Sequence, residues 1–191
     1  MSKSITEVIT NGVFRKNVAY VQLLGLCPLL AVSNTVANAI GLAAASSFVL
    51  IMSSLLVSIF RRFIVSNYRL PTFVLIVGSM TSVVTLLMEA FTFPLYARVA
   101  LFVQIIVTNC MILGRIETIS SKSNVTTSLV DAIATSLGFA LALITLGGIR
   151  EILGYFVPLA SLPAGSFIVA GILLASGNYL VSQFRESQLY E

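Results

Sequence analysis

From 38 to 60 the chain runs NAIGLAAASSFVLIMSSLLVSIF, twenty-three residues without a charged side chain. A helix needs about 20 such residues to cross roughly 30 Å of hydrocarbon. Comparable apolar runs fall near 18–33, 71–93, 97–114, 127–149 and 164–184, which makes six candidate spans. No water is available inside a bilayer, so each span must satisfy its own backbone N–H and C=O groups and is expected to be helical. Charged residues make up 9% of the chain, against about 25% in a soluble domain. That is too few to clothe a water-exposed globule. The expected class is therefore an all-α membrane protein with six transmembrane helices.

The few cations then report topology. With the N-terminus inside, Lys3, Arg15, Lys16, Arg61, Arg62, Arg69, Arg115, Lys122 and Arg185 fall in inner segments, and only Arg98 and Arg150 fall in outer ones. Basic residues concentrate on the cytoplasmic side of membrane proteins, so both termini are expected in the cytoplasm. The net charge of +4 is not gathered into a basic face, which excludes a nucleic-acid partner. Residues 1–17 read as a cytoplasmic leader, either an interfacial helix carrying Ile5, Val8, Ile9, Val13 and Phe14 or a partly ordered tail. This opening stretch is too long and too mixed to be a signal peptide. A six-helix domain over 18–184 and a cytoplasmic tail over 185–191 complete the expected organisation.

Two cysteines stand in matching contexts, Cys27 in VQLLGLCPLLAV and Cys110 in QIIVTNCMILGR. Both lie in the shorter spans, the first and fourth, flanked by Gly25 and Pro28 in one case and by Thr108, Asn109 and Gly114 in the other. Interrupted spans at corresponding places in two halves point to a functional site at the membrane midplane. Three helices per half would invert the second half relative to the first. Cys27 lies 11 residues past Lys16 and Cys110 lies 12 past Arg98. At 1.5 Å per residue those are roughly 16 and 18 Å from opposite faces, near the centre for both.

Inert buried thiols are the simplest account of such a pair, because free cysteine packs as a small hydrophobe. The alternative is shared ligation. Thiolates in a low dielectric need a soft positive partner, and iron–sulfur clusters use four of them. The chain has no histidine, so any remaining ligands would come from a homologous subunit or a second copy. Zinc meets the same ligand arithmetic, but without an evident purpose at that depth. A disulfide requires an oxidising machinery that reaches the bilayer centre.

Other polar residues in or beside the spans are Glu89, Asp131, Arg115, Glu117, Arg150 and Glu151, for which interfacial anchoring is the expected role. Gly41, Ala43, Ala44, Ala45 and Ser46 suit close helix packing. No P-loop, paired catalytic carboxylates, Ser/His constellation or dinucleotide fingerprint occurs, so no independent active site is expected. Inverted repeats and broken helices also fit a small secondary transporter, which stays open as an alternative.

The segments VQLLGLCPLLAVS, NTVANAIGLA, IVTNCMILGRIE, GGIREILG and LPAGSFIVAGILLA closely resemble the E-subunit (RnfE/RsxE) family of Rnf ion-translocating electron-transport complexes. A related family is the D-subunit (NqrD) family of sodium-pumping NADH:quinone reductases; LCPLLAV favours the first. The likeness covers roughly 17–183. It implies a six-helix bacterial inner-membrane subunit with two inverted three-helix repeats and short or broken helices 1 and 4. It further implies a [2Fe–2S] cluster shared with the homologous A-type partner (RnfA/RsxA), with Cys27 and Cys110 as this chain's ligands. Complexes of this family also contain B-, C-, D- and G-type components. They pass electrons between ferredoxin and NAD, couple this to Na⁺ or H⁺ movement, and in some bacteria keep the redox sensor SoxR reduced. This chain departs from the usual pattern at GRIETIS, where the family shows GRAEAFA, and in a shorter outer loop near 154–163.

Overall fold

The structure is a computed structural model and describes residues 22–32, 35–62, 64, 68–156, 165–172 and 175. The expected leader, the C-terminal tail and most of the sixth span lie outside the described residues. Among the described residues every regular element is helical. In chain order these are α1 (Leu26–Val32), α2 (Val36–Phe60), α3 (Arg69–Phe91), α4 (Phe93–Val103), α5 (Cys110–Arg115) and α6 (Val125–Phe156). A 3₁₀ turn, Gln104–Ile106, extends α4, and a π-helical stretch, Ile116–Ser120, extends α5. Residues 165–172 are again helical. Three helices, Val36–Phe60, Arg69–Phe91 and Val125–Gly154 within α6, are long and apolar enough to cross a membrane.

The centre of the fold is the antiparallel pair α2 and α6. Their approach depends on small side chains. A Cβ on Gly147 would lie 3.2 Å from the Ala39 Cβ and 3.7 Å from the Thr35 carbonyl oxygen. Gly41, Ala43, Ala45 and Ser46 are buried on α2 as their size suggests, whereas Ala44 is exposed. Ala39, Leu42, Val49 and Leu50 of α2 meet Phe139, Leu143 and Leu146 of α6 in one core with Phe73 and Val77 of α3. Lipid tails are as apolar as these side chains, so it is close van der Waals packing that holds such helices together.

Both ends of the pair are stitched by polar contacts. At one end Arg61 donates from Nη1 to the Ser123 carbonyl at 2.6 Å and from Nη2 to Asn124 Oδ1 at 3.2 Å. Ser58 Oγ donates to the same Ser123 carbonyl at 3.3 Å. At the other end Arg150 and Glu151 hold the chain around Leu30 and Val36. Arg61 and Lys122 therefore share one end and Arg150 lies at the opposite one. Replacing Arg61 with Ala is expected to cost about 0.5–1.5 kcal/mol, the net worth of a hydrogen bond at a half-exposed site where water can take over the acceptors. The check is the midpoint of thermal unfolding in detergent, compared with Arg62→Ala.

Three spans differ from the sequence expectation: among the described residues of the expected first span, 18–33, residues 22–25 are not helical and the helix is Leu26–Val32. The expected fourth span, 97–114, is not one helix: α4 begins at Phe93 and ends at Val103, and non-helical residues 107–109 precede α5. A single residue, Thr92, joins α3 to α4, its N–H donating to the Met88 carbonyl at 2.9 Å and its own carbonyl accepting from Tyr96 N–H. The expected fifth span, 127–149, runs instead from Val125 to Phe156. Gly147 and Gly148 do not end it, since a helical glycine costs only about 1 kcal/mol and Gly147 offsets that through close packing. Arg150 is correspondingly not an interfacial anchor but a buried side chain, 2% exposed.

Candidate functional site

Cys27 and Cys110 each stand in the first turn of a short helix, at the second residue of α1 and the first of α5. The chain approaches α1 through left-handed backbone at Leu23 (φ 54°) and Gly25 (φ 79°). Glycine adopts that conformation freely, whereas a Cβ makes it sterically costly. Pro28 follows Cys27 at the third helical position, still in the turn where its missing N–H has no intrahelical partner to lose. The start of α5 is set by Asn109, whose extended backbone (φ −64°, ψ 113°) and Oδ1 cap the helix by accepting from Met111 N–H at 3.1 Å.

The starts of these two helices meet. Gly25 N–H donates to Cys110 Sγ at 3.0 Å, a bond between residues 85 apart in sequence. A Cβ on Gly25 would lie 2.9 Å from Phe139 Cε2, 3.3 Å from Met111 Cβ and 3.4 Å from Asn109 Oδ1. The loop before Cys27 is thus seated on the start of α5 with no spare room. Both cysteine side chains are nevertheless exposed, and neither is in a disulfide. These are not thiols packed in a core. The Asn109 side chain is buried, and its Nδ2 has no hydrogen-bond partner among the described residues.

Cys110 reaches this place by a route other than a straight helix from Arg98, because the backbone breaks at 107–109. The Gly25–Cys110 bond ties the loop before α1 to the start of α5. Among the described residues no three His, Cys, Asp or Glu side chains gather as a metal site.

The carboxylates are elsewhere or differently used. Asp131 pairs with Arg115 at 3.4 Å, both 14% exposed, and Arg115 Nε donates to Thr135 Oγ1 at 3.0 Å, one turn along α6. Glu89 and Glu117 are exposed. Sequence reasoning singled out Arg115 and Asp131 separately and did not pair them. It also missed the Gly25 amide as a thiol-directed donor, although the glycine two residues before Cys27 was the available signal.

Among the described residues, three membrane-capable helices and two short helices that each present an exposed cysteine define a helical membrane protein. The chain matches the family described as "Rnf-Nqr subunit, membrane protein" over residues 5–183, and it belongs to that family. It is 42% identical over 197 aligned positions to the E subunit of the ion-translocating oxidoreductase complex of Pasteurella multocida, with 88% of each chain covered. The corresponding protein of Haemophilus ducreyi is 39% identical over 199 positions, covering 90% of this chain and 88% of that one. For that of Pseudomonas paraeruginosa the identity is 39% over 211 positions, covering 96% and 88%.

Proposed function

We propose that this chain is the membrane electron-transfer component of an ion-translocating ferredoxin:NAD oxidoreductase of the Rnf/Rsx type. In this reading Cys27 and Cys110 supply half the ligands of a [2Fe–2S] cluster, and a homologous A-type partner supplies the rest. The observation that carries the reading is the Gly25 N–H donating to Cys110 Sγ at 3.0 Å. It joins the two cysteine-bearing helix starts while leaving both thiols exposed, the arrangement a cluster shared across a protein boundary requires.

The donor set fits such a group. Two thiols and no histidine make half of a Cys₄ site. N–H groups beside a ligand sulfur are a recognised way of tuning a cluster, and Gly25 provides one. The buried Nδ2 of Asn109, one residue before Cys110, is a further donor without an acceptor among the described residues. Bound there, the cluster would supply one-electron transfer. The chain's own part is to hold two sulfurs in place, to direct an amide at one of them, and to exclude water with the apolar packing of Met111 and Phe139.

Six spans in two inverted halves, both termini in the cytoplasm of a bacterium with this chain in its inner membrane, complete the reading. The short α1 and the break before α5 support it by supplying interrupted helices at both cysteines. A contribution to keeping SoxR reduced, and association with B-, C-, D- and G-type components, belong to the same proposal. The relatives' designation, as E subunits of ion-translocating oxidoreductase complexes, favours it over an NqrD-type or transporter role. The test is an iron and acid-labile sulfide assay on this chain co-purified with its A-type partner. About two irons and two sulfides per pair are expected; a pair free of both, purified without oxygen, would overturn the assignment.

A further inference from the structure

We propose that Arg150 is the positioning residue for Cys27. This rests on the proposed function only where the cluster is concerned; the positioning of the thiol is argued from geometry alone. Helix α1 has seven residues, too few to be stable by itself, and the last four carbonyls of any helix lack intrahelical partners. One of these, the carbonyl of Leu30 three residues after Cys27, accepts from Arg150 Nη1 at 3.1 Å. Arg150 is 2% exposed, so the guanidinium is held within the protein rather than reaching for water.

Its neighbours on α6 hold the start of α2. Glu151 Oε2 accepts from the Val36 N–H at 2.8 Å, satisfying an otherwise free donor in the first turn of α2. Gly147 sits against Thr35, Val36 and Ala39, where a Cβ would come within 3.2 Å of Ala39. Residues 147, 150 and 151 are spaced i, i+3, i+4 and share one face of the helix. That face holds both helices: Arg150 the end of α1, Glu151 and Gly147 the start of α2. With its start seated on Phe139 and Asn109 and its end tied to Arg150, α1 is fixed on both sides, and Cys27 lies between the two ties. The guanidinium also places a fixed positive charge at the cysteine helix, which would favour the reduced form of a bound cluster.

The experiment reads the thiol first. The full-length chain is produced in membranes with Cys110→Ser, leaving Cys27 as its sole thiol, or with Cys27→Ser, leaving Cys110. Alkylation rates by N-ethylmaleimide are measured with and without Arg150→Gln. A several-fold change at Cys27, with less than a twofold change at Cys110, is expected. An unchanged Cys27 rate, or equal changes at both thiols, overturns the proposal. Should Arg150→Gln fail to accumulate, Arg150→Lys keeps the charge and loses the planar fork. A smaller shift confined to Cys27 is then expected, and no shift overturns the proposal equally. In the assembled complex the midpoint potential of the [2Fe–2S] signal should fall in Arg150→Gln and less in Arg150→Lys. Iron that persists in the cysteine variants would sink the cluster reading, while the thiol rates would still decide the role of Arg150.

Discussion

On the proposed function, Cys27→Ser and Cys110→Ser are each expected to abolish a [2Fe–2S] signal while leaving the chain assembled at near wild-type stability. Both side chains are exposed, so neither substitution opens a cavity or buries a new polar group. At position 110 the serine oxygen can still accept from the Gly25 N–H, which preserves the tie between α1 and α5. A change within about 0.5 kcal/mol is expected for such surface replacements. Iron retention is another matter, since a hydroxyl is a poor substitute for a thiolate toward iron. The measurements are iron per complex, the paramagnetic signal of the reduced cluster and thermal stability, read on the same preparation. Full iron content in either variant would refute ligation by that residue.

Gly25→Ala carries the largest expected cost in stability, about 2–5 kcal/mol. Two effects combine. Left-handed backbone costs a residue with a Cβ roughly 1–2 kcal/mol, and φ here is 79°. The new methyl would also stand 2.9 Å from the ring of Phe139, which is fully buried and has little freedom to retreat. Overpacking of this kind costs typically 1–3 kcal/mol. Phe139→Leu removes the steric part and leaves the backbone part, so Gly25→Ala is expected to cost less in the Phe139→Leu background than in the wild type, the difference being read from a double-mutant cycle. Equal thermal midpoints for Gly25→Ala and wild type would show that the loop leading into α1 can rearrange.

Much of the scaffold was legible from the residues because membrane helices need long apolar runs, and α2, α3 and α6 follow the runs at 38–60, 71–93 and 127–149 within a few residues at most ends. The extension of α6 to Phe156 was not legible, because Gly147, Gly148 and Arg150 look like a terminus in sequence. What keeps them helical is tertiary: a glycine against Ala39 and a guanidinium on Leu30, partners more than a hundred residues away. The cysteines stood out as a pair from their contexts alone. The way they are joined did not, since a backbone amide leaves no mark on the sequence except the glycine that carries it. The same holds for Arg115 and Asp131, two charges whose meeting depends on how α5 is set against α6.

The placement of Cys27 and Cys110 on the rim of the protein bears on biogenesis. On the proposed function, a freshly made copy owns only half a coordination sphere and has nowhere to store iron until it docks. Loading then has to follow pairing, the supply of the scarcer protein sets how many clusters a cell can install, and surplus copies remain colourless.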